Sequence, residues 1–356
     1  MANNNIALSA ARAGKKDEFY TQLSDIEKEL VHYREYFRDK VVLCNCDDPY
    51  ESNFFKYFAL NFNALGLKKL IATCYDGSPI AQQELPLFAD EDNEQKKKAY
   101  KVEISEVPDL DGNGSTDLVD VQLLLKSSDH NVKAELKGNG DFRSEECIEL
   151  LKQADIVVTN PPFSLFREYM ALLIRYNKKF VVIGNQNAIT YKEIFPLIKA
   201  NELWLGNKNG DMAFRVPDYY EPRETRYWVD ETGQKWRSMG NICWFTNLDI
   251  KKRHEEIILI KNYSHEDYPK YDNYDAINVN RIDDIPQDYS GVMGVPITFL
   301  DKYNPEQFEI IGASESEGKG FSNGLWYENS KVAQPIVNGV RIYKRIFIRN
   351  KKPQIS

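Results

Sequence analysis

A chain of 356 residues fits one large domain, or one domain with a smaller module. With 42% hydrophobic and 28% charged residues it can bury a sizeable core, and extended disorder is excluded. The balance is acidic, 46 Lys+Arg against 54 Asp+Glu, net −8, which excludes a wholesale nucleic-acid coat and leaves room for a local basic face.

No apolar run approaches the roughly 18–20 residues that span a bilayer, and residues 1–16 lack the apolar stretch of a signal peptide. A cytoplasmic protein with no membrane partner is expected. Cys44 and Cys46 sit too close together for a zinc knuckle, and Cys74, Cys147 and Cys243 supply no second pair. Reduced, packed thiols and no metal are expected.

In chain order, residues 23–37 place Leu23, Ile26, Leu30 and Tyr33 on one helical face. Residues 41–44 form a short buried-type strand. Residues 52–64 then read as a helix with Phe54, Phe55, Phe58 and Phe62 inward. Further strands are expected at 70–74, 154–159 and 180–184, with helices at 165–175 and near 191–199. Short β-branched strands separated by helices predict an α/β, doubly wound parallel sheet covered on both faces. Ligands of such sheets bind at the carboxyl ends of the strands.

Between residues 85 and 140 the rhythm breaks, and strand-like runs at 100–104 and 119–125 predict an inserted hairpin. A calcium-like loop at Asp109, Asp111 and Asp120 lacks the final Glu and the flanking helices of an EF-hand, so a turn is expected there. Beyond Leu205 the chain is strand-rich and aromatic. The domain reading is a core over residues 1–250, with a hairpin at 206–240 that mixes Arg and Lys with Tyr and Trp as a nucleic-acid-contacting element would, and a second region over 251–356. Residues 103–120 carry six acids and no bases; residues 331–356 carry seven bases and no acids. The acidic total therefore conceals a terminus of +7 suited to nucleic acid.

The stretch richest in chemistry is Asn160-Pro161-Pro162-Phe163, where a buried strand runs into a turn stiffened by two prolines. The turn sets the Asn160 amide and the Pro161 carbonyl at the strand's carboxyl end. A planar exocyclic or amide nitrogen is a poor nucleophile because its lone pair is delocalised. Two acceptors holding its N–H bonds favour the pyramidal form that attacks an electrophile, and Phe163 offers a stacking face. With no Ser, Cys or His constellation nearby, the expected electrophile is the methyl group of S-adenosylmethionine, transferred directly and in line. The motif alone also serves cytosine N4, guanine N2 in RNA and glutamine amides in proteins.

Asn160-Pro161-Pro162-Phe163 resembles motif IV of amino-methyltransferases acting on adenine N6. Asp17-Glu18-Phe19-Tyr20-Thr21 resembles the N-terminal cofactor motif of the EcoRI-type adenine-specific DNA methyltransferases. The run from Val41 through Cys44-Asn45-Cys46-Asp47-Asp48-Pro49 to Phe58 is similar to that family, as are Gly140-Asp141-Phe142-Arg143-Ser144 and Gly294-Val295-Pro296-Ile297-Thr298-Phe299-Leu300. The likeness covers nearly the whole chain. It implies a Rossmann-like methyltransferase core with a strand-rich, C-terminal target-recognition region. It also implies a bacterial or phage-encoded modification enzyme of a restriction-modification system, acting as a monomer, with a cognate endonuclease that makes no stable contact.

The absence of glycine from Val41 to Leu65 counts against a dinucleotide-like cofactor turn on fold logic alone. The resemblance implies the opposite, because the glycine-free version is the family's own. It implies Asn45, Asp47 and Asp48 at the cofactor's methionine end and Asp76 on the ribose. Asp141 and Phe142 would then hold its adenine, with Asp17, Phe19, Tyr20 and Thr21 closing over the site. An adenine inside duplex DNA must be flipped out to reach it. The alternatives are an N4-cytosine methyltransferase, or a non-catalytic DNA- or nucleoside-binding protein that retains the fold.

Overall fold

The computed structural model describes residues 19–46, 48–49, 52–74, 99–126, 133–218, 220–314 and 321–354. The chain forms two compact units, Met1–Asn185 with Lys208–Leu248, and Gln186–Asn207 with Asp249–Ser356. No helix among the described residues is long and apolar enough to cross a membrane.

The first unit is built on a large mixed sheet. Its strands are β1 (Tyr20–Thr21), β2 (Val41–Asn45), β3 (Lys69–Cys74), β4 (Tyr100–Ile104), β5 (Lys133–Glu135), β6 (Ile156–Thr159), β7 (Lys179–Asn185), β8 (Trp204–Arg215), β9 (Tyr227–Val229) and β10 (Lys235–Thr246). They lie in the order β1-β8-β10-β7-β6-β2-β3-β4-β5, with β9 paired to β10. β3, β2, β6 and β7 are parallel to one another. β4 and β5 extend one side antiparallel, and β10 pairs antiparallel with β7 on the other.

The parallel strands stand where the apolar runs predict. Every residue of β2 and β6 is buried, as continuous apolar runs require when both faces are covered. The helix Asn53–Leu60 buries Phe54, Phe55 and Phe58, each contributing roughly 1.5–3 kcal/mol. The Ser52 side chain starts this helix by accepting from the Phe55 amide. The helix Phe166–Arg175 buries Phe166, Tyr169, Met170 and Leu173 at helical spacing. Gly184 in β7 lets the Phe166 ring approach the backbone: a Cβ there would lie 2.5 Å from it.

The insertion differs from the expected hairpin. Its antiparallel partners are β4 and β5, and Leu118–Lys126 between them is a helix, not a strand. Val121, Leu124 and Leu125 are buried at helical spacing, while Val119 and Leu123 are exposed. The Asp117 carboxylate accepts from the Val119 amide (2.7 Å) and Asp120 reaches back to the Asp117 amide (2.8 Å). This reciprocal cap outweighs the β preference of two valines. Asp120 also accepts from the Leu110 and Asp111 amides, and Asp109 from the Gly112, Asn113 and Gly114 amides. The acidic loop is knit to its own backbone.

The second unit holds a four-stranded sheet of β11 (Ile277–Asn278), β12 (Met293–Pro296), β13 (Phe308–Ala313) and, in chain order after a hairpin of β14 (Ile336–Val337) and β15 (Val340–Arg341), β16 (Arg345–Asn350). Its order is β11-β12-β16-β13. Tyr271, Tyr274, Ala276, Ile311 and Phe347 form a core there. The acid-free terminus thus enters a sheet instead of trailing as a tail.

Candidate active site

The chain leaves β2 for β3 on one side and later fills β6 and β7 on the other. Such a reversal opens a crevice at the carboxyl ends of the two central strands. Asn45 ends β2 there, and Asn160-Pro161-Pro162-Phe163 follows β6. Two bonds tie these ends together: the Thr159 hydroxyl donates to the Asn45 carbonyl, and the buried Tyr169 hydroxyl donates to Asn45 Oδ1. Burial pushes the Tyr169 phenol well above its ordinary pKa, which keeps it a donor.

After Asn45 the backbone turns through Cys46 at φ 85°. A positive φ is where a glycine normally stands, so the glycine-free turn places a cysteine in the conformation glycine would supply.

Asn160 is buried, 6% exposed. Its Nδ2 donates to the Phe19 carbonyl at 2.6 Å, which fixes the amide's orientation. Oδ1 is consequently the free end, buried and without a hydrogen-bond partner among the described residues. An orphaned buried acceptor is costly, and such atoms mark places where a ligand supplies the missing donor. The Thr21 hydroxyl is a second buried oxygen in this condition.

Phe19 and Thr21 reach this position because β1 pairs antiparallel with β8, Tyr20 opposite Arg215 and Thr21 opposite Phe214. Asn53 Nδ2 donates to the Thr21 carbonyl and Gln22 Nε2 to the Ala213 carbonyl. The Phe19 ring lies 5.8 Å from Phe163, 5.9 Å from Phe214 and 6.1 Å from Tyr220. Tyr220 in turn stacks on Tyr227. Tyr20, under the Arg215 guanidinium, lines a cavity of about 340 Å³ with Gln22, Asn53, Lys56 and Trp236.

Of the other expected site residues, Asp48 is buried and accepts from the Tyr100 hydroxyl (2.9 Å) and the Cys74 thiol (3.4 Å). Asp141 pairs with Arg143 at 2.7 Å, and Arg143 also reaches Glu168. These partners push the Arg143 guanidinium above its ordinary pKa, the Asp141 hydrogen bond foremost. The Phe142 ring packs edge-on against Tyr169. Asp17, Asp47 and Asp76 lie outside the described residues.

Contacts therefore link Phe19, Asn160 and Phe163 directly, and Asn45 to Phe142 through Tyr169; Asp48 sits toward β3 and β4. Phe214 and Tyr169 carry no signal in the sequence, because each reads as a core aromatic, whereas Tyr220 falls within the hairpin expected at 206–240. The arrangement is suited to a planar group that carries N–H donors: a fixed acceptor oxygen beside a set of rings.

Residues 7–351 match the family described as "Adenine-specific methyltransferase EcoRI". The chain is 49% identical to the Type II methyltransferase M.EcoRI of Escherichia coli over 360 residues, which cover 99% of this chain and 100% of that protein. It is 39% identical to Type II methyltransferase M.MgeORF184P of Mycoplasma genitalium (97% and 98% covered), and 40% identical to Type II methyltransferase M.MpnI of Mycoplasma pneumoniae (85% and 83%). No solved structure matches it. With its sequence matched from end to end and its Asn-Pro-Pro-Phe turn at the crevice of the sheet, the chain belongs to the EcoRI family of adenine-specific methyltransferases.

Proposed function

We propose that the protein methylates the exocyclic N6 of an adenine flipped out of double-stranded DNA, with S-adenosylmethionine as methyl donor, and that Asn160, Pro161, Pro162 and Phe163 carry the transfer. The observation that supports this most strongly is the Asn160 amide, whose nitrogen is spent on Phe19 while Oδ1 is left buried and unsatisfied. An adenine amino group has two N–H donors. Asn160 Oδ1 can take one and the Pro161 carbonyl the other. Holding both draws the nitrogen from planarity and frees its lone pair, stabilising charge where it develops. Phe163 and Phe19 offer ring faces to the base, and Pro161 and Pro162 keep the turn from relaxing.

S-adenosylmethionine, when bound, supplies an electrophilic methyl group. The Rossmann-like reading of the sheet puts it at the carboxyl ends of β2 and β3. Thr21, with its unsatisfied hydroxyl, fits a polar ligand, and Asp48 is held buried by Tyr100 and Cys74 at the β3 side of the crevice. Asn45, Asp141 and Phe142 complete the described part of this cofactor site; Asp17, Asp47 and Asp76 are assigned to it from the resemblance. Bringing the base and the cofactor together in the crevice lets the methyl group pass directly, with no covalent intermediate on the enzyme.

Residues 251–356 and the segment 206–240, which includes β9, are assigned to DNA contact. The assignment is tested by incubating the protein with labelled cofactor and DNA and analysing the nucleosides. N6-methyladenine is expected from the wild type and a loss of roughly 10²–10³-fold in rate from Asn160→Ala. Near-normal turnover by a folded Asn160→Ala would remove the motif from the mechanism.

A further inference from the structure

Arg345 opens β16 and is only 7% exposed, yet the described residues give its guanidinium no carboxylate. Its acceptors are all neutral oxygens. Nε donates to Asn278 Oδ1 (3.4 Å), Nη1 to the carbonyls of Tyr343 (3.0 Å) and Lys344 (3.4 Å), and Nη2 to Asn280 Oδ1 (3.3 Å). The Tyr271 hydroxyl, another neutral oxygen, also lies within hydrogen-bonding reach of the guanidinium, and three of the four contacts above are long. Arg253, likewise buried, is paired with Asp249 at 2.8 Å.

Burying a charge without a counter-charge is expensive. Its chain neighbours do not offset it: Lys344 precedes it and no acid occurs in the sequence from residue 331 to the end. Asn280, by contrast, is exposed. Its Oδ1 accepts from Arg345 and from Asn278 Nδ2 (3.0 Å), which leaves its own Nδ2 donors without an acceptor among the described residues. The arrangement draws positive potential from a buried guanidinium to exposed donors, the pattern of a site completed by an anion.

We propose that Arg345, with Asn278 and Asn280, forms a binding site for a phosphodiester of the DNA backbone on the second unit. The inference rests on the DNA reading above and adds residues that position the duplex without reading its sequence. The incoming phosphate supplies the counter-charge through the exposed Asn280 amide, with the Arg345 guanidinium directly behind it.

The test uses the full chain, duplex DNA and a salt titration of the dissociation constant. Asn280→Asp places a carboxylate beside Arg345, the internal counter-ion the site lacks. It is expected to raise the melting temperature, weaken DNA binding by about tenfold and reduce the slope of log K against log salt by about 1. Arg345→Met is expected to lose the same unit of slope while retaining S-adenosylmethionine binding, which reports the fold of the first unit. An Asn280→Asp protein that is stabilised but binds DNA with unchanged affinity and slope would overturn the proposal and make Arg345 structural. Wild-type protein that binds DNA without methylating it would instead remove the functional reading and leave this site standing.

Discussion

Asn160 shows how little of a site is carried by residue identity alone. The Asn-Pro-Pro-Phe turn is legible in the sequence because a buried strand runs straight into it. The feature that orients it, the Phe19 carbonyl at 2.6 Å, comes from a backbone 141 residues away and leaves no sequence signal. The geometry makes a specific prediction. Asn160→Asp keeps an acceptor oxygen but presents another oxygen to the Phe19 carbonyl, so its rate constant is expected to fall nearly as far as that of Asn160→Ala; methyl transfer under saturating substrates measures it. Wild-type turnover by Asn160→Asp would mean that the Phe19 bond does not orient the amide. Cys46 is a second such position. At φ 85° a β-branched side chain is worse placed than a glycine, so Cys46→Val is expected to be less stable than Cys46→Gly by on the order of 1–2 kcal/mol. Denaturant unfolding of the two variants checks it.

At the scale of elements, the parallel strands and the aromatic helix Asn53–Leu60 follow from apolar patterning, since each is buried on a face its periodicity marks. The helix Leu118–Lys126 was misread because Val119 and Val121 favour strand locally. The Asp117–Asp120 cap that decides it was present in the sequence, within a loop read for its resemblance to a calcium site. The β9–β10 hairpin is held at its tip by one carboxylate. Asp230 accepts from the Thr232 amide and hydroxyl and the Gln234 amide, and from Trp236 Nε1 at 2.7 Å. These bonds, the Thr232 hydroxyl first, hold its pKa at about 2. A depressed carboxylate pKa gives stability that is present above the unfolded value of roughly 3.9 and lost as pH falls toward about 2. Wild-type protein should therefore lose stability more steeply than Asp230→Asn between about pH 4 and pH 2. Parallel acid titrations followed by Trp fluorescence would show equal slopes if the turn did not depend on the ionised carboxylate.

For the whole molecule, a net charge of −8 is a poor guide to its partner, because the charges are segregated. The seven bases after residue 330 enter β16 and the segments beside it, not a solvated tail. Arg349 and Lys352 face Glu309 and Glu256 at 3.5 Å, exposed pairs that contribute little, and Arg345 is buried. That placement depends on which distant strands pair with β16, which composition does not reveal.

The crevice between β2 and β6 is proposed to perform the transfer through Asn160. The most direct measurement is single-turnover methylation of duplex DNA, with S-adenosylmethionine saturating, by wild-type and Asn160→Ala protein, accompanied by cofactor and DNA binding constants. The expected result is a rate constant lower by roughly 10²–10³-fold with both binding constants within a few-fold of wild type. A near-wild-type rate constant, or a loss confined to binding, would contradict it.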